Sequence, residues 1–301
     1  MENLTELYCL MDDFCKDFEP KMHEILLNNG SKRRRRSTQL SLAEMMTLVV
    51  LFHQLRFRQF KEFYLYHVRL YLRKEFPNLP SYSRCVELLP RSALALTALF
   101  ESIKGKCTGL SVADSTPIAV CDNLRIRRHK AFDGIAERGK TSTGWFFGFK
   151  LHVIINHLGE ILSFRLTPGN TDDRKPLPEL IKDLSGCLYA DKGYLSASLK
   201  QQLKTMGINL ITNIKKEMKP VEQTCFDKAI LRHRSVIETV FDELKNLCQI
   251  EHTRHHSPAN FVVNLLAGRV AYCLIPSKPK IPVAGTYLQD GRLWRRLVIA
   301  C

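Results

Sequence analysis

The sequence predicts a two-part protein, in which an all-helical N-terminal region precedes an α/β domain built on a mixed sheet. Residues 1–104 carry apolar positions at helical spacing. After Gly105 the chain changes to β-branched or alternating segments, typical of strands, with helical stretches between the later ones. A mixed five-stranded sheet flanked by helices is the natural packing for this order. We therefore divide the chain into regions 1–104 and 105–275 and a C-terminal tail, 276–301.

The charge of the chain favours a polyanionic partner. Its 301 residues contain 45 Lys and Arg against 30 Asp and Glu, which gives a formal net charge of +15. Cations in such excess can neutralise phosphates and release counterions from nucleic acid. The N-terminus has no signal pattern, and the apolar run "LVVLFHQL" is too short to span a bilayer. We expect a cytoplasmic, nucleoid-associated protein that does not bind membranes.

The N-terminal region is predicted to bind DNA through its helices and a cationic run. "LTELYCLMDDFCKDFEPKMHEILL" has helical periodicity, and Ser41 and Glu44 form a capping box that opens the next helix. The run between them consists of Lys32, Arg33, Arg34, Arg35 and Arg36. These side chains are candidates for phosphate contacts. A flexible, solvated run is the alternative, and the two interpretations are compatible.

The α/β region is predicted to contain five strands and three helices. The strands are "GLSVADSTPIAV", "GWFFGFKLHVIIN", "ILSFRLTPGN", "CLYADKGY" and "INLITNI", and the helices are "KPLPELIKDL", "SASLKQQLKTMG" and residues 229–249. The first three strands are expected to pair in sequence order. If the first and fourth strands are neighbours, Asp114 and Asp191 come together, and Glu238 can reach them from the last helix.

Each of these acids also has a simpler interpretation. Asp114 lies within an apolar strand, where a buried carboxylate is costly unless hydroxyls, amides or a metal satisfy it. Asp191 ends a strand, where ligand sites collect in open sheets, but Asp is also common in turns. Glu238 shares one helix edge with Arg234 and Lys245, which is also how a surface ion pair looks. Because this edge borders an apolar face, we expect Glu238 to be partly shielded.

Three converging acids would suit a two-metal site for phosphoryl transfer. Mg²⁺ prefers hard oxygen ligands and keeps waters that can attack phosphate. In two-metal sites one ion activates the nucleophile and the other stabilises the leaving oxygen. Arg234 and Lys245 could then hold the phosphates of the reacting strand.

At these residues the chain resembles the DDE transposases of bacterial insertion sequences. Arg234-x3-Glu238-x6-Lys245 matches their C-terminal signature, except that Leu231 occupies its Tyr position. "ADSTPI", "ADKGY", "GFKLH" and "TPGNTDD" are similar to their other motifs. The order of elements resembles their RNase H-like core. By length and N-terminal character the chain looks closest to the group named after insertion sequence nine-eighty-two.

The resemblance implies a specific function and site. It implies binding of terminal inverted repeats, metal-activated DNA cleavage, transfer of 3′-hydroxyl ends to target DNA, and a homodimer in the synaptic complex. The implied metal-binding triad is Asp114, Asp191 and Glu238, holding two Mg²⁺ ions for which Mn²⁺ can substitute. Arg234 and Lys245 are the implied DNA contacts.

Three further residues have open roles. Lys150 and His152 lie either beside the pocket, where they would contact DNA, or on an exposed strand face. At the Leu231 position the Tyr contact is either lost or supplied by another residue such as Tyr194.

Two other functions remain open at this stage. An RNase H-like nuclease would use the same acids without strand transfer, because hydrolysis and transfer differ only in the nucleophile. A catalytically inactive DNA-binding repressor of the element is the second alternative, and the intact acid triad argues against it.

Overall fold

The computed structural model describes residues 3–28, 38–142, 144–213, 223–251 and 256–282. The helices are α1 (Leu4–Asn28), α2 (Leu42–Gln54), α3 (Phe60–Glu62), α4 (Arg69–Tyr71), α5 (Tyr82–Leu88), α6 (Ala93–Ile103), α7 (Leu177–Leu180), α8 (Ala197–Thr205), α9 (Cys225–His233), α10 (Val236–Asp242) and α11 (Pro258–Cys273). The strands are β1 (Leu110–Cys121), β2 (Glu137–Thr141), β3 (Gly144–Asn156), β4 (Ile161–Pro168), β5 (Gly186–Ala190) and β6 (Ile208–Thr212).

The chain separates into two compact units. The helical unit comprises Met1–Ile103 and Glu243–Pro276, and the sheet unit comprises Lys104–Asp242 and Ser277–Cys301. Helix α11, which the sequence-based division placed with residues 105–275, packs against α2 and α6 in the helical unit. The assignment of DNA binding to residues 1–104 stays a prediction.

The predicted capping box is present at the start of α2. The Ser41 hydroxyl accepts from the Glu44 amide at 3.1 Å, and the Ser41 amide donates to the Glu44 carboxylate at 2.6 Å. Most of the α2 side chains that follow are buried, which makes this helix the centre of the helical unit. These two hydrogen bonds hold the first turn of α2 and therefore set the residue at which this core helix begins.

The sheet unit is built on a mixed sheet with strand order β2-β3-β1-β5-β6, and β4 pairs with β3. The predicted α/β class and the sequential antiparallel pairing of the first three predicted strands are confirmed. The sheet also contains a strand absent from the prediction, β2, which pairs antiparallel with the start of β3. Its sequence, "ERGKT", is charged and lacks the β-branched alternation by which strands are recognised.

Parallel pairing of β1 with β5 sets the position of the two aspartates. The last residue pair in this register is Ala113 with Ala190. Asp114 and Asp191 follow these two residues directly, so they leave the paired segment at the same end. The condition under which the sequence brings the two aspartates together, that the first and fourth predicted strands are neighbours, is therefore met.

The predicted helix over 229–249 is wrong as a single element. Helix α9 ends at His233, α10 begins at Val236, and a π-helical turn covers Glu243–Leu247. Ser235 stands at the break, and its carbonyl accepts from the Glu238 amide at 2.9 Å. Serine favours helix starts because it competes for backbone hydrogen bonds inside helices. The break leaves Arg234 at the end of α9.

The beginning of the C-terminal tail belongs to the sheet unit. The Ile281 amide donates to the His157 carbonyl at 2.8 Å, and Ile281 is buried. Residues 283–301 lie outside the described residues. Among the helices that the structure describes, none is both long and apolar enough to cross a membrane.

His53 is a buried, neutral histidine in the core of the helical unit. It lies on α2, is 1% exposed, and forms a hydrogen bond between its Nδ1 atom and the Cys248 carbonyl. Burial lowers the pKa of His53 from 6.5 to about 4, although its backbone hydrogen bonds act in the opposite direction.

This burial predicts an acid-dependent loss of stability. The unfolded chain binds a proton at His53 near pH 6.5, whereas the folded chain resists it until about pH 4. The stabilisation is therefore complete above about pH 6.5 and is lost as the pH falls towards 4, by an amount on the order of 3 kcal/mol. Urea unfolding of wild type and His53→Gln between pH 4 and 7.5 should show a shallower pH dependence for the variant. The exposed His23→Gln variant should follow wild type, and equal slopes for all three proteins would contradict the prediction.

Candidate active site

Arg234 joins the two aspartates that the sheet brings together. Its Nη1 atom donates to Asp114 Oδ2 at 3.0 Å, and its Nη2 atom donates to Asp191 Oδ1 at 3.3 Å. The Arg234 side chain is 16% exposed, against 22% for Asp114 and 50% for Asp191. One planar guanidinium thus spans two carboxylates, one in β1 and one directly after β5, through two different nitrogen atoms.

The Asp114 carboxyl has a pKa well above its usual range. Burial raises its pKa to about 6, and the Asp191 charge acts in the same direction. The Ser115 amide, which donates to Asp114 Oδ1 at 2.8 Å, and the Arg234 guanidinium both oppose this rise. A carboxyl in this environment gains strongly from any additional cation, because little water is present to solvate its charge.

A third aspartate, Asp173, contacts Ser115, the residue that follows Asp114. Its Oδ1 atom accepts from the Ser115 hydroxyl at 2.9 Å and from the Lys150 ammonium at 3.1 Å. Lys150 also donates to the Thr171 carbonyl at 3.0 Å. Sequence reasoning recognised the "TPGNTDD" motif but gave Asp173 no role. The signal was the pair of aspartates that ends this motif just after a strand.

Glu238 lies on a helix that packs against the strand of Asp114. Helix α10 buries Ile237, Val240 and Phe241 and contacts β1. Glu238 itself is exposed, so the expectation that it would be partly shielded is wrong. The apolar residues of α10 face the sheet, and Glu238 lies off that face. Within the described ranges, no group of three or more His, Cys, Asp and Glu side chains is arranged to hold a metal ion.

The remaining predicted DNA contacts are differently placed. Lys245 lies in the helical unit and pairs with Glu251 at 2.9 Å. Lys150 is bound to Asp173 and is 15% exposed. His152 is 1% exposed, its Nε2 atom lies 2.8 Å from Thr167 Oγ1, and burial lowers its pKa to about 4. A histidine so enclosed and uncharged offers no surface to DNA. The run Lys32–Arg36 lies outside the described residues.

The residue at the signature Tyr position is part of the core. Leu231 is 6% exposed on α9, so it packs as an apolar side chain. Tyr194 is 3% exposed in the turn that follows Asp191. Burial raises the pKa of Tyr194 well above its usual value, and the nearby charges of Asp114 and Asp173 raise it further. A phenol is therefore present beside Asp114 although the signature position has none.

The donor chemistry of the site fits a hard divalent cation. Asp114 and Asp191 already converge on one positive group, the Arg234 guanidinium. Carboxylate oxygens are the ligands that Mg²⁺ prefers. Because Arg234 occupies the space between these carboxylates, its charge competes with that of a metal ion.

The fold and the paired aspartates indicate the class of protein. A mixed sheet flanked by helices, with a helical region before it, is consistent with an RNase H-like α/β fold. Residues 104–258, just over half of the chain, match the family model described as Transposase DDE domain. The chain belongs to this family. Neither the curated proteins nor the solved structures gave a match.

Family membership supports a transposase function and an enzyme of the nuclease and transposase type. It implies DNA as the partner and is compatible with a divalent metal as cofactor.

The bridge predicts strong energetic coupling between Arg234 and Asp114. We expect Arg234→Gln to lower the free energy of unfolding by about 1–3 kcal/mol, because two neighbouring carboxylates lose their counter-charge. With Asp114→Asn already present, the same change should cost at least about 1 kcal/mol less. Urea unfolding of the four proteins of this double-mutant cycle measures the coupling.

The pair Arg174 and Asp172 is a matched control for this cycle. It lies in the same unit, but its side chains are 43% and 40% exposed. Its coupling should be weaker than that of Arg234 with Asp114, because solvent screens exposed ion pairs. Equal coupling in the two cycles would show that the bridge contributes nothing beyond a surface contact.

Proposed function

We propose that this chain is the transposase of an insertion sequence, closest to the group named after insertion sequence nine-eighty-two. It would bind the terminal inverted repeats, cleave the DNA by metal-activated hydrolysis, and transfer the freed 3′-hydroxyl ends to target DNA. The observation that carries this proposal is the convergence of Asp114 and Asp191 on one cation at the paired ends of β1 and β5. Membership of the DDE family supports it.

We assign the catalytic acids as Asp114, Asp191 and Glu238. Asp114 and Asp191 would hold Mg²⁺, or Mn²⁺ in its place, with Glu238 as a ligand that reaches the pair from α10. When bound, the two ions supply Lewis-acid activation of the attacking and leaving oxygens. Asp173, which is itself paired with Lys150, accepts from the Ser115 hydroxyl, and the Ser115 amide donates to Asp114 and orients it.

Arg234 would change partners during the reaction. In the structure its two nitrogens satisfy Asp114 and Asp191. When other cations neutralise these carboxylates, charge balance favours a move of the guanidinium to a DNA phosphate, which it can bind in the same bidentate way. Tyr194 would stay beside Asp114 and keep water from that side. Lys245 would contact DNA from the helical unit.

The proposed triad makes a direct prediction for cleavage. Asp114→Asn, Asp191→Asn and Glu238→Gln should each reduce Mg²⁺-dependent cleavage by at least about 100-fold, because each removes a charged ligand from the reacting centre. The substrate is a supercoiled plasmid carrying the DNA that flanks the gene on both sides. Asp183→Asn removes an exposed carboxylate of the same unit and should cleave as wild type does. Cleavage by the triad variants at the wild-type rate would refute the assignment.

Strand transfer needs a separate experiment. Pre-cut element ends with free 3′-hydroxyls are mixed with a supercoiled target plasmid and Mg²⁺. We expect joined products, since transfer uses the same acids with a different nucleophile. Joining of both ends in one event would fit a homodimer, which brings two sites to two ends. Nicked target without joined ends would instead identify a nuclease, and DNA binding without any cleavage would identify a repressor.

A further inference from the structure

A basic segment on the sheet unit lies outside all the residues assigned so far. The basic segment, Asn123–Thr141, consists of the connection between β1 and β2 and of strand β2. It has two carboxylates, Asp133 and Glu137, and the following six exposed cations: Arg125, Arg127, Arg128, Lys130, Arg138 and Lys140. None of these six forms an ion pair with another of the described residues. The cations exceed the carboxylates of the segment by four, and their side chains face solvent.

The basic segment is held in place by packing beneath it. Phe132 is 1% exposed and meets Phe149 of β3 edge to face, with ring centroids 5.8 Å apart. The Asn123 side-chain amide donates to the Trp145 carbonyl at 2.7 Å, which ties the segment to the start of β3. The backbone that carries these cations is therefore held against β3. A partner would have to order their side chains but not the backbone that carries them.

The surface of the segment combines cations with exposed apolar groups. Leu124 is 93% exposed and Trp145 is 61% exposed. The Lys140 ammonium lies 5.7 Å from the centre of the Trp145 ring. Such a contact holds the ammonium over the aromatic face while leaving its donors open. Because the family of this chain acts on DNA, we take a nucleic acid backbone as the partner, whose phosphate oxygens guanidinium groups can bind in pairs.

The register of the sheet sets how far along β3 Trp145, to which the segment is tied, lies from the position opposite Asp114. Asp114 pairs with Val153 of β3, and Trp145 lies eight residues before Val153 on the same strand. At roughly 3.3 Å per residue, Trp145 lies at most about 26 Å along β3 from the position opposite Asp114. Along B-form DNA, with about 3.4 Å per base pair, this corresponds to no more than roughly eight base pairs.

We propose that the basic segment binds the phosphate backbone of the duplex DNA that carries the reacting phosphodiester. Arg125, Arg127 and Arg128 contact phosphates, and Trp145 positions Lys140 to do the same. The proposal rests on the proposed function, since it takes DNA as the substrate. It adds a binding surface that is separate from the acids and from the N-terminal cationic run.

The first test compares two charge-removal variants in DNA binding. One is Arg125→Gln, Arg127→Gln and Arg128→Gln together. The control removes the same charge through Lys182→Gln, Lys200→Gln and Lys204→Gln. These exposed lysines lie in the connections before and after β5, which is separated from β2 by β3 and β1 in the sheet. Binding to duplex DNA from the element ends is measured with Ca²⁺ between 50 and 200 mM salt. The arginine variant should bind at least about tenfold more weakly at 100 mM salt, with a log–log salt slope smaller by about 2–3.

A second measurement uses Trp145 as the reporter. The chain contains 2 tryptophans, so Trp294→Phe leaves Trp145 as the single emitter. Its fluorescence should change when duplex DNA binds, and the three arginine substitutions should remove that change. Circular dichroism and thermal unfolding confirm that the variant is folded.

The outcomes separate this inference from the proposed function. Wild-type affinity and salt slope in the arginine variant, or equal losses in the lysine control, would overturn the inference even if wild type still cleaves DNA. Unchanged Trp145 emission on DNA binding would overturn the role of that residue. If the acid variants lose cleavage but bind DNA normally, the inference is still decided by the binding of the arginine variant and by the Trp145 emission.

Discussion

The bridge from Arg234 to Asp114 and Asp191 is the interaction on which the sheet unit depends. Parallel pairing of β1 with β5 places two carboxylates side by side, and the first of them is largely buried. Two like charges in such an environment are costly without a cation between them. The break between α9 and α10 puts a guanidinium there, so the helix geometry and the sheet register must agree for the unit to be stable.

The features that the sequence predicted correctly are those set by local periodicity. The capping box of Ser41 and Glu44 and the five predicted strands all follow from residues within a short window. Neighbouring first and fourth predicted strands were stated as the condition that would bring Asp114 and Asp191 together, and the pairing of β1 with β5 meets it. The capping box and the strands needed no knowledge of distant contacts.

The features that the sequence did not predict depend on contacts between distant residues. Strand β2 forms because β3 offers it an edge, and its charged sequence gives no strand signal. Asp173 acquires its role only where β3 brings Lys150 beside it and β1 brings Ser115. The exposure of Glu238 depends on how α10 turns its apolar residues towards β1, which a helical wheel alone cannot fix.

The bridge also limits how the proposed site can work. A fold that neutralises its own aspartates is stable without a metal, but each hydrogen bond to Arg234 must then be displaced or shared when a metal binds. Asp191 is the more exposed partner and has the longer hydrogen bond, at 3.3 Å against 3.0 Å for Asp114. It is therefore the carboxylate that Arg234 releases at the lower cost. A DNA phosphate arriving at the same time would offer the guanidinium a replacement anion, so under the proposed function metal and DNA should each favour the binding of the other.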